Sequence, residues 1–322
     1  MRGKRIVKKN LIVPLAFFFF IMAFTSFTVW FIKEKDKPKI MIVTHRLDIE
    51  YWKIFESGAE KAFQDLNLKG KVIAPESIYP ISNQPKMLKK VLTQQPDALI
   101  VAPIDEEVTI PALMEYKKKN IPVLLVSRDI EWEDKTAFIG PDHYELGEMS
   151  GKLLGSMLQP GDQVAIIFGL AYDQVMIDRM NGAKKVLKNI GIEVVTERSG
   201  YDDLANPTPV MGSILQSYPN IKGVIATSDR LALEALGTIE EKGMKIPVIG
   251  TDGIIEMTEF VESGKVDATI AQNPYDMGYL SVVQALKAIE GDNTEKIIDS
   301  GIDIITKDNA EDKINFLKKL LR

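Results

Sequence analysis

Short apolar runs alternate with longer amphipathic stretches over most of this chain. Residues 40–43, 98–102, 123–126, 164–168, 223–226, 248–250 and 268–271 are nearly continuous in apolar side chains. That is the pattern of strands covered on both faces. Residues 51–66, 144–158, 175–190, 231–242 and 277–290 instead place apolar positions at helical spacing. Strand followed by helix, repeated, predicts an α/β fold of doubly wound parallel sheets.

The pattern also recurs at long range. Ser57-Gly58-Ala59-Glu60-Lys61 returns as Asn181-Gly182-Ala183-Lys184-Lys185, and Ile121-Pro122-Val123 returns as Ile246-Pro247-Val248. A period of about 125 residues is too long for a solenoid and predicts a duplicated lobe. Two similar lobes enclose a cleft, and open parallel sheets bind ligands beyond the carboxyl ends of their strands. Thr44-His45-Arg46, Ser127-Arg128, Tyr201, Ser228-Asp229, Thr251-Asp252 and Gln272 stand at those ends. Loop ends are polar in most proteins, so position alone does not make any one of them functional.

The N-terminus has a different pattern. Residues 11–32 carry no charge and are rich in phenylalanine, long enough as a helix to cross the hydrocarbon core. Arg2, Lys4, Arg5, Lys8 and Lys9 precede them, which keeps residues 1–10 in the cytoplasm and sends the body to the extracytoplasmic face. The expectation is a single-pass anchor at 11–32 and a short linker at 33–38. A cleaved signal peptide is the competing reading, but Ala23-Phe24-Thr25 is a poor small-x-small site.

Composition removes whole classes of function. The chain has 322 residues and a net charge of -5, without the basic stripe that a nucleic-acid surface needs. It has no cysteine, so disulfides, thiolate metal sites and a lipidated-cysteine tether are absent. Histidine occurs only as His45 and His143, which argues against a histidine-rich metal centre. No P-loop, dinucleotide fingerprint or nucleophile elbow is present, and no cofactor is expected. These absences favour a binding protein over an enzyme.

Three segments carry a family resemblance: Ala226-Thr227-Ser228-Asp229 with the following Leu231-Ala232-Leu233-Glu234-Ala235-Leu236, then Ile249-Gly250-Thr251-Asp252-Gly253, then Ile270-Ala271-Gln272-Asn273-Pro274. In this order and spacing the chain resembles the ribose/galactose-type periplasmic sugar-binding proteins from about Lys39 to Lys307. The resemblance implies two α/β lobes joined by three hinge strands, with crossings near Gly140-Pro141, Asn273-Pro274 and between Asp299 and Ile302. Residues 39–141 with 273–301 would form one lobe, and 142–272 with 302–322 the other.

Carried over residue by residue, Tyr51 and Trp52 match the aromatic pair that stacks on a sugar. Arg128 and Arg179 match arginines that grip its oxygens, and Asp252 and Gln272 match groups that bind hydroxyls. Asp142 and Tyr201 stand near the cleft. The chain also departs from the pattern. Ile49, Ala102, Ser127 and Ser228 replace asparagine or aspartate, and His45 replaces a small hydroxyl residue. Those changes point away from ribose itself, toward another pentose, a hexose, a modified sugar or a furanone-like signal.

Two roles follow from the resemblance. A membrane-tethered sensor would report closure to a sensor histidine kinase of a two-component system. The substrate-binding component of a sugar ABC importer would dock on an ABC permease. An uncleaved anchor favours the first, because it suits lateral pairing with another membrane protein.

Overall fold

The computed structural model describes residues 37–77, 80–171, 173–200 and 209–321. The expected anchor at 11–32 and the candidate Tyr201 lie outside these residues. No helix among the described residues is long and apolar enough to cross a membrane.

The first lobe is built from β1 (Lys39–Val43), α1 (Glu50–Asp65), β2 (Lys69–Ile73), α2 (Asn83–Leu92), β3 (Ala98–Val101), α3 (Glu106–Lys118), β4 (Val123–Val126) and β5 (Ala137–Gly140). The chain then enters the second lobe with α4 (His143–Gly155), β6 (Gln163–Phe168), α5 (Gln174–Asn189), β7 (Glu193–Ser199), α6 (Met211–Ser217) and β8 (Gly223–Ala226). That lobe continues with α7 (Asp229–Glu241), β9 (Val248–Ile249), β10 (Thr251–Asp252), α8 (Ile255–Glu262) and β11 (Ala268–Gln272). Helix α9 (Pro274–Glu290) and β12 (Ile297–Asp299) return to the first lobe, and β13 (Ile302–Thr306) with α10 (Ala310–Leu320) ends in the second.

The first sheet has the order β12-β5-β4-β3-β1-β2, and every pairing in it is parallel. Alternation along its strands explains the continuous apolar runs. Ile40 and Ile42 enter one core with Trp52 and Phe55, while Met41 and Val43 enter another with Leu88 and Leu113. In the second lobe Val164 and Ile166 face one core, and Ala165 and Ile167 the other. Both faces of each strand are therefore apolar, as a doubly wound sheet requires.

The expectation of purely parallel sheets fails at one edge. The second lobe has the orders β7-β6-β8-β9 and β10-β11-β13, and β13 runs antiparallel to β11. Strand β12 leads into β13 through Ser300-Gly301 alone, with no crossover helix to reverse the chain. The carboxyl end of β12 thus feeds β13 at the point where β11 finishes, with Ile302 opposite Gln272, so β13 runs back along β11. Strands β9 and β10 flank Gly250, where a Cβ would lie 2.3 Å from the Asp229 Oδ1. Strand β9 pairs with β8 and β10 with β11, so the chain changes partner at this glycine.

The internal repeat marks close helix crossings. A Cβ on Gly58 of α1 would lie 2.0 Å from the Tyr275 carbonyl oxygen on α9, and one on Gly182 of α5 would lie 2.1 Å from the Tyr144 carbonyl oxygen on α4. The facing helices also use glycine: Gly278 meets the Phe55 carbonyl oxygen at 2.2 Å and Gly147 meets that of Arg179 at 2.0 Å by the same measure. Each lobe thus brings two helix backbones together through reciprocal glycines. These crossings fix the heights of Tyr51 and Arg179.

Helix α10 packs on α8 of its own lobe, and Lys318 pairs with Glu259 at 2.7 Å. Its end also reaches the first lobe, where the Ser57 hydroxyl donates to the Leu320 carbonyl at 3.1 Å.

Candidate functional site

The carboxyl ends of the two sheets face one another, and polar side chains from both lobes meet there. The Tyr51 hydroxyl in the first turn of α1 donates to Gln272 Oε1 at 3.1 Å. Gln272, at the end of β11, donates through Nε2 to Asp252 Oδ1 at 2.8 Å. Asp252 also accepts from Arg179 Nη1 at 3.2 Å, and the same Arg179 nitrogen donates to the Thr227 carbonyl at 2.7 Å. Arg179 Nε donates to His143 Nδ1 at 3.4 Å, and His143 Nε2 donates to the Ser127 carbonyl at 2.7 Å. A carbonyl only accepts, so Nε2 carries the imidazole proton and Nδ1 is free to accept from Arg179. These bonds form one continuous circuit from Tyr51 of the first lobe, through the second lobe, back to the Ser127 backbone.

Burial sets the electrostatics of this circuit. Arg179 is only 4% exposed, and Gln272 only 3%. Burial, with help from Arg179, lowers the His143 pKa to about 3, and burial, with help from Arg128, lowers that of His45 to about 4. Both imidazoles are neutral at ordinary pH. Burial and the nearby charge of Asp252 push the Asp229 carboxyl well above the usual carboxylate range. Asp229 accepts from the backbone N–H groups of Gly253 at 2.6 Å and Ile254 at 2.9 Å, which fixes the loop carrying Asp252.

Arg128 faces the second lobe. Its Nη1 donates to the Ile104 carbonyl at 2.8 Å, and its Nη2 pairs with Asp173 Oδ1 across the cleft at 2.6 Å. Its Nε is buried without a hydrogen-bond partner among the described residues. The preceding residue is held unusually. Ser127 has φ 67°, and the Arg128 N–H donates to the Val126 carbonyl at 2.7 Å. This is a γ-turn with a positive central φ, a strained conformation for a residue bearing a Cβ.

The sequence candidates separate into groups. Tyr51, Arg128, Arg179, Asp252 and Gln272 meet in the cleft. His45 is adjacent, with Nε2 on the Pro103 carbonyl at 3.0 Å and its ring 5.1 Å from that of Trp52. Trp52 is buried between His45, Tyr51 and Phe55, so it supports the site from the core instead of stacking on a ligand. Ser228 caps α7, and its hydroxyl oxygen accepts from the Leu231 N–H. Asp142 is exposed and caps α4 through the Tyr144 and Glu145 N–H groups. Arg46 forks onto Asp48 at 2.6 and 2.5 Å, away from the circuit.

Sequence reasoning missed His143, Thr227, Asp173 and Glu50. Asp173 follows the loop after β6 and begins a helix, so the strand-end rule extended by a few residues would have reached it. Thr227 contributes a backbone carbonyl, which no side-chain motif signals.

With this geometry in view, a family model for the periplasmic binding protein domain matches residues 40–293. The chain belongs to this family. Among curated relatives, the ribose import binding protein RbsB of Bacillus subtilis (strain 168) is 27% identical over 274 residues, covering 85% of this chain and 89% of the relative. The D-ribose/D-allose-binding protein of Pseudomonas aeruginosa is 24% identical, covering 84% and 89%. Among solved structures, a periplasmic solute binding protein of an ABC transporter from Actinobacillus succinogenes with bound D-allose has a TM-score of 0.80 at 25% identity, covering 86% of this chain and 100% of that one. The glucose-galactose binding protein GanP from Geobacillus stearothermophilus has a TM-score of 0.78 at 25% identity, covering 85% and 99%. Family membership agrees with an extracytoplasmic body.

Proposed function

We propose that this chain binds a small neutral sugar or sugar-derived ligand between its lobes and signals closure to a membrane partner. The charge balance of the cleft carries the reading. Arg128 is paired with Asp173, Arg179 is paired with Asp252, and both histidines are neutral. An anionic ligand would have to displace a carboxylate already in place, and a cation would meet two guanidinium groups. A polyol offers donors and acceptors without net charge. The names of the relatives support the class, since ribose, allose, glucose and galactose are all neutral. The residue-level match to sugar-gripping positions supports the place.

A melting-temperature screen of the full chain in detergent tests this. Ligand at a hundred times its Kd adds about 2.7 kcal/mol to the native state. In a body of this size that is a rise of about 4–5 °C. A neutral pentose or hexose should produce the shift, while sugar acids and sugar phosphates should not. A shift with an acid alone would refute the charge argument.

The partner we infer is a sensor histidine kinase. Residues 11–32 supply an apolar, uncharged span, and the chain has no cysteine for lipid attachment. Six linker residues, 33–38, reach about 20 Å at most, so the body would stay beside the bilayer and beside any lateral partner. A specific observation favours a second reading: the relatives are named as import and ABC transporter binding proteins. Co-reconstitution with the candidate kinase separates the two. Sugar-dependent autophosphorylation supports sensing, and sugar-dependent stimulation of a permease ATPase supports import.

A further inference from the structure

Two acidic side chains join the lobes in addition to the Tyr51–Gln272 contact. Glu50, the first residue of α1, accepts through Oε1 from the Ile255 N–H of α8 in the opposite lobe at 2.7 Å. Neither helix has a side-chain cap at its own N-cap residue, Ile49 or Ile254. Glu50 therefore caps a helix of the other lobe. Asp173 acts in the reverse direction. It caps its own helix α5, accepting from the Val175 N–H at 3.1 Å, and reaches Arg128 of the first lobe at 2.6 Å. The Arg128 and Asp173 side chains are only 17% and 7% exposed, so water screens the pair weakly.

We propose that Glu50 and Asp173 form a clasp, made of protein groups alone, that stabilises the closed arrangement and sets how much ligand is needed to hold it. Each link exists only when the lobes meet, so each shifts the closed–open equilibrium by its own free energy. A charge-assisted hydrogen bond shifts such an equilibrium about 10- to 100-fold. Apparent affinity follows the closed fraction, so loss of the clasp weakens binding without removing any ligand contact. The inference rests on lobe movement about the three crossings, which belongs to the proposed function, and not on the ligand being a sugar.

The absence of native cysteine makes the test direct. Lys90→Cys on α2 and Glu241→Cys on α7, both exposed, place one spin label on each lobe of the full chain in detergent. Interlobe distances are measured without ligand. Against this background Glu50→Ala should raise the ratio of long to short distances at least about 10-fold. Glu50→Gln should restore most of the short distance, because its amide oxygen still accepts from Ile255. Asp173→Asn keeps a good N-cap but drops the charge, so it should open the lobes while leaving α5 intact. Identical distance distributions in all variants would overturn the clasp, as would a fall in melting temperature with no change in distance. If the variants open the lobes but no sugar shifts the melting temperature, the clasp stands and the sugar reading falls. The opposite pair of results does the reverse.

Discussion

Arg179→Ala should cost far more than a surface arginine, and the structure says why. The guanidinium lies 2.7 Å from the Thr227 carbonyl and 3.2 Å from Asp252, with the side chain 5% exposed. Truncation leaves a carbonyl facing a hole, worth about 1–3 kcal/mol when buried and unpaired. It also leaves Asp252 beside Asp229 with its cation gone. Breaking a buried pair from one side costs about 3–5 kcal/mol in total. Native domains hold about 5–15 kcal/mol, so the variant would sit near the folding threshold and lost binding would be ambiguous. The informative comparison is a double-mutant cycle with Asp252→Asn, which removes the stranded charge and relieves Asp229. Urea unfolding should show Arg179→Met/Asp252→Asn less destabilised than the sum of its singles by about 1–3 kcal/mol. Additivity within about 0.5 kcal/mol would refute the claim that Arg179 and Asp252 are held by each other.

Two further predictions concern the same circuit. His143 binds its proton more weakly in the native state than in the unfolded chain, with the native value at about 3 against an ordinary 6.5. Its contribution is therefore fully present above pH 6.5 and is lost as pH falls below that. Between pH 7 and pH 5 the loss is about 2 kcal/mol, absent from a His143→Gln variant. Equal pH slopes for the two proteins would contradict the buried neutral imidazole. Ser127, at φ 67°, should tolerate glycine within about 0.5 kcal/mol, whereas Ser127→Val should destabilise by about 1–3 kcal/mol because a β-branched residue resists that region. Circular dichroism melts of both variants would decide it.

Much of the fold is legible in the sequence because both faces of the central strands are covered. Strands β1, β3, β4, β6, β8 and β11 read as apolar runs for that reason. The edge strands do not. Strand β2, Lys-Gly-Lys-Val-Ile, and β7, Glu-Val-Val-Thr-Glu-Arg-Ser, carry charge on their outer positions, as exposed edges do. Helix α3 contains Pro111 and weak amphipathicity, so its period is blurred. The site shows the same division. Strand-end polarity and the family pattern nominate Arg128, Arg179, Asp252 and Gln272, whose side chains converge on the cleft. Nothing in either separates Tyr51 from Trp52, since adjacent helical positions turn one ring to the cleft and the other into the core. The interlobe links of Asp173 and Glu50 arise from two segments far apart in sequence, and no local pattern encodes them.

The two copies of the repeat treat one position beside the crossing differently. Aligning Gly58 with Gly182 sets Phe55 against Arg179, each three residues before its glycine. Phe55 is fully buried in the first core, and Arg179 is 4% exposed at the corresponding place in the second lobe. One copy satisfies the position with apolar contact, and the other with Thr227, Asp252 and His143. The glycines on which the copies agree serve the crossing, while the residue on which they differ serves the cleft. Glycine replacement should therefore hurt both lobes alike. Gly58→Ala and Gly182→Ala each force a Cβ to about 2 Å from a carbonyl oxygen on the facing helix. Overpacking of this kind costs about 1–3 kcal/mol or more, because backbone cannot rotate away. The first change moves Tyr51 and the second moves Arg179, so both should also weaken ligand binding from opposite sides of the cleft. If either alanine left the urea midpoint and the ligand-induced melting shift unchanged, the crossing would not be what sets the height of the site.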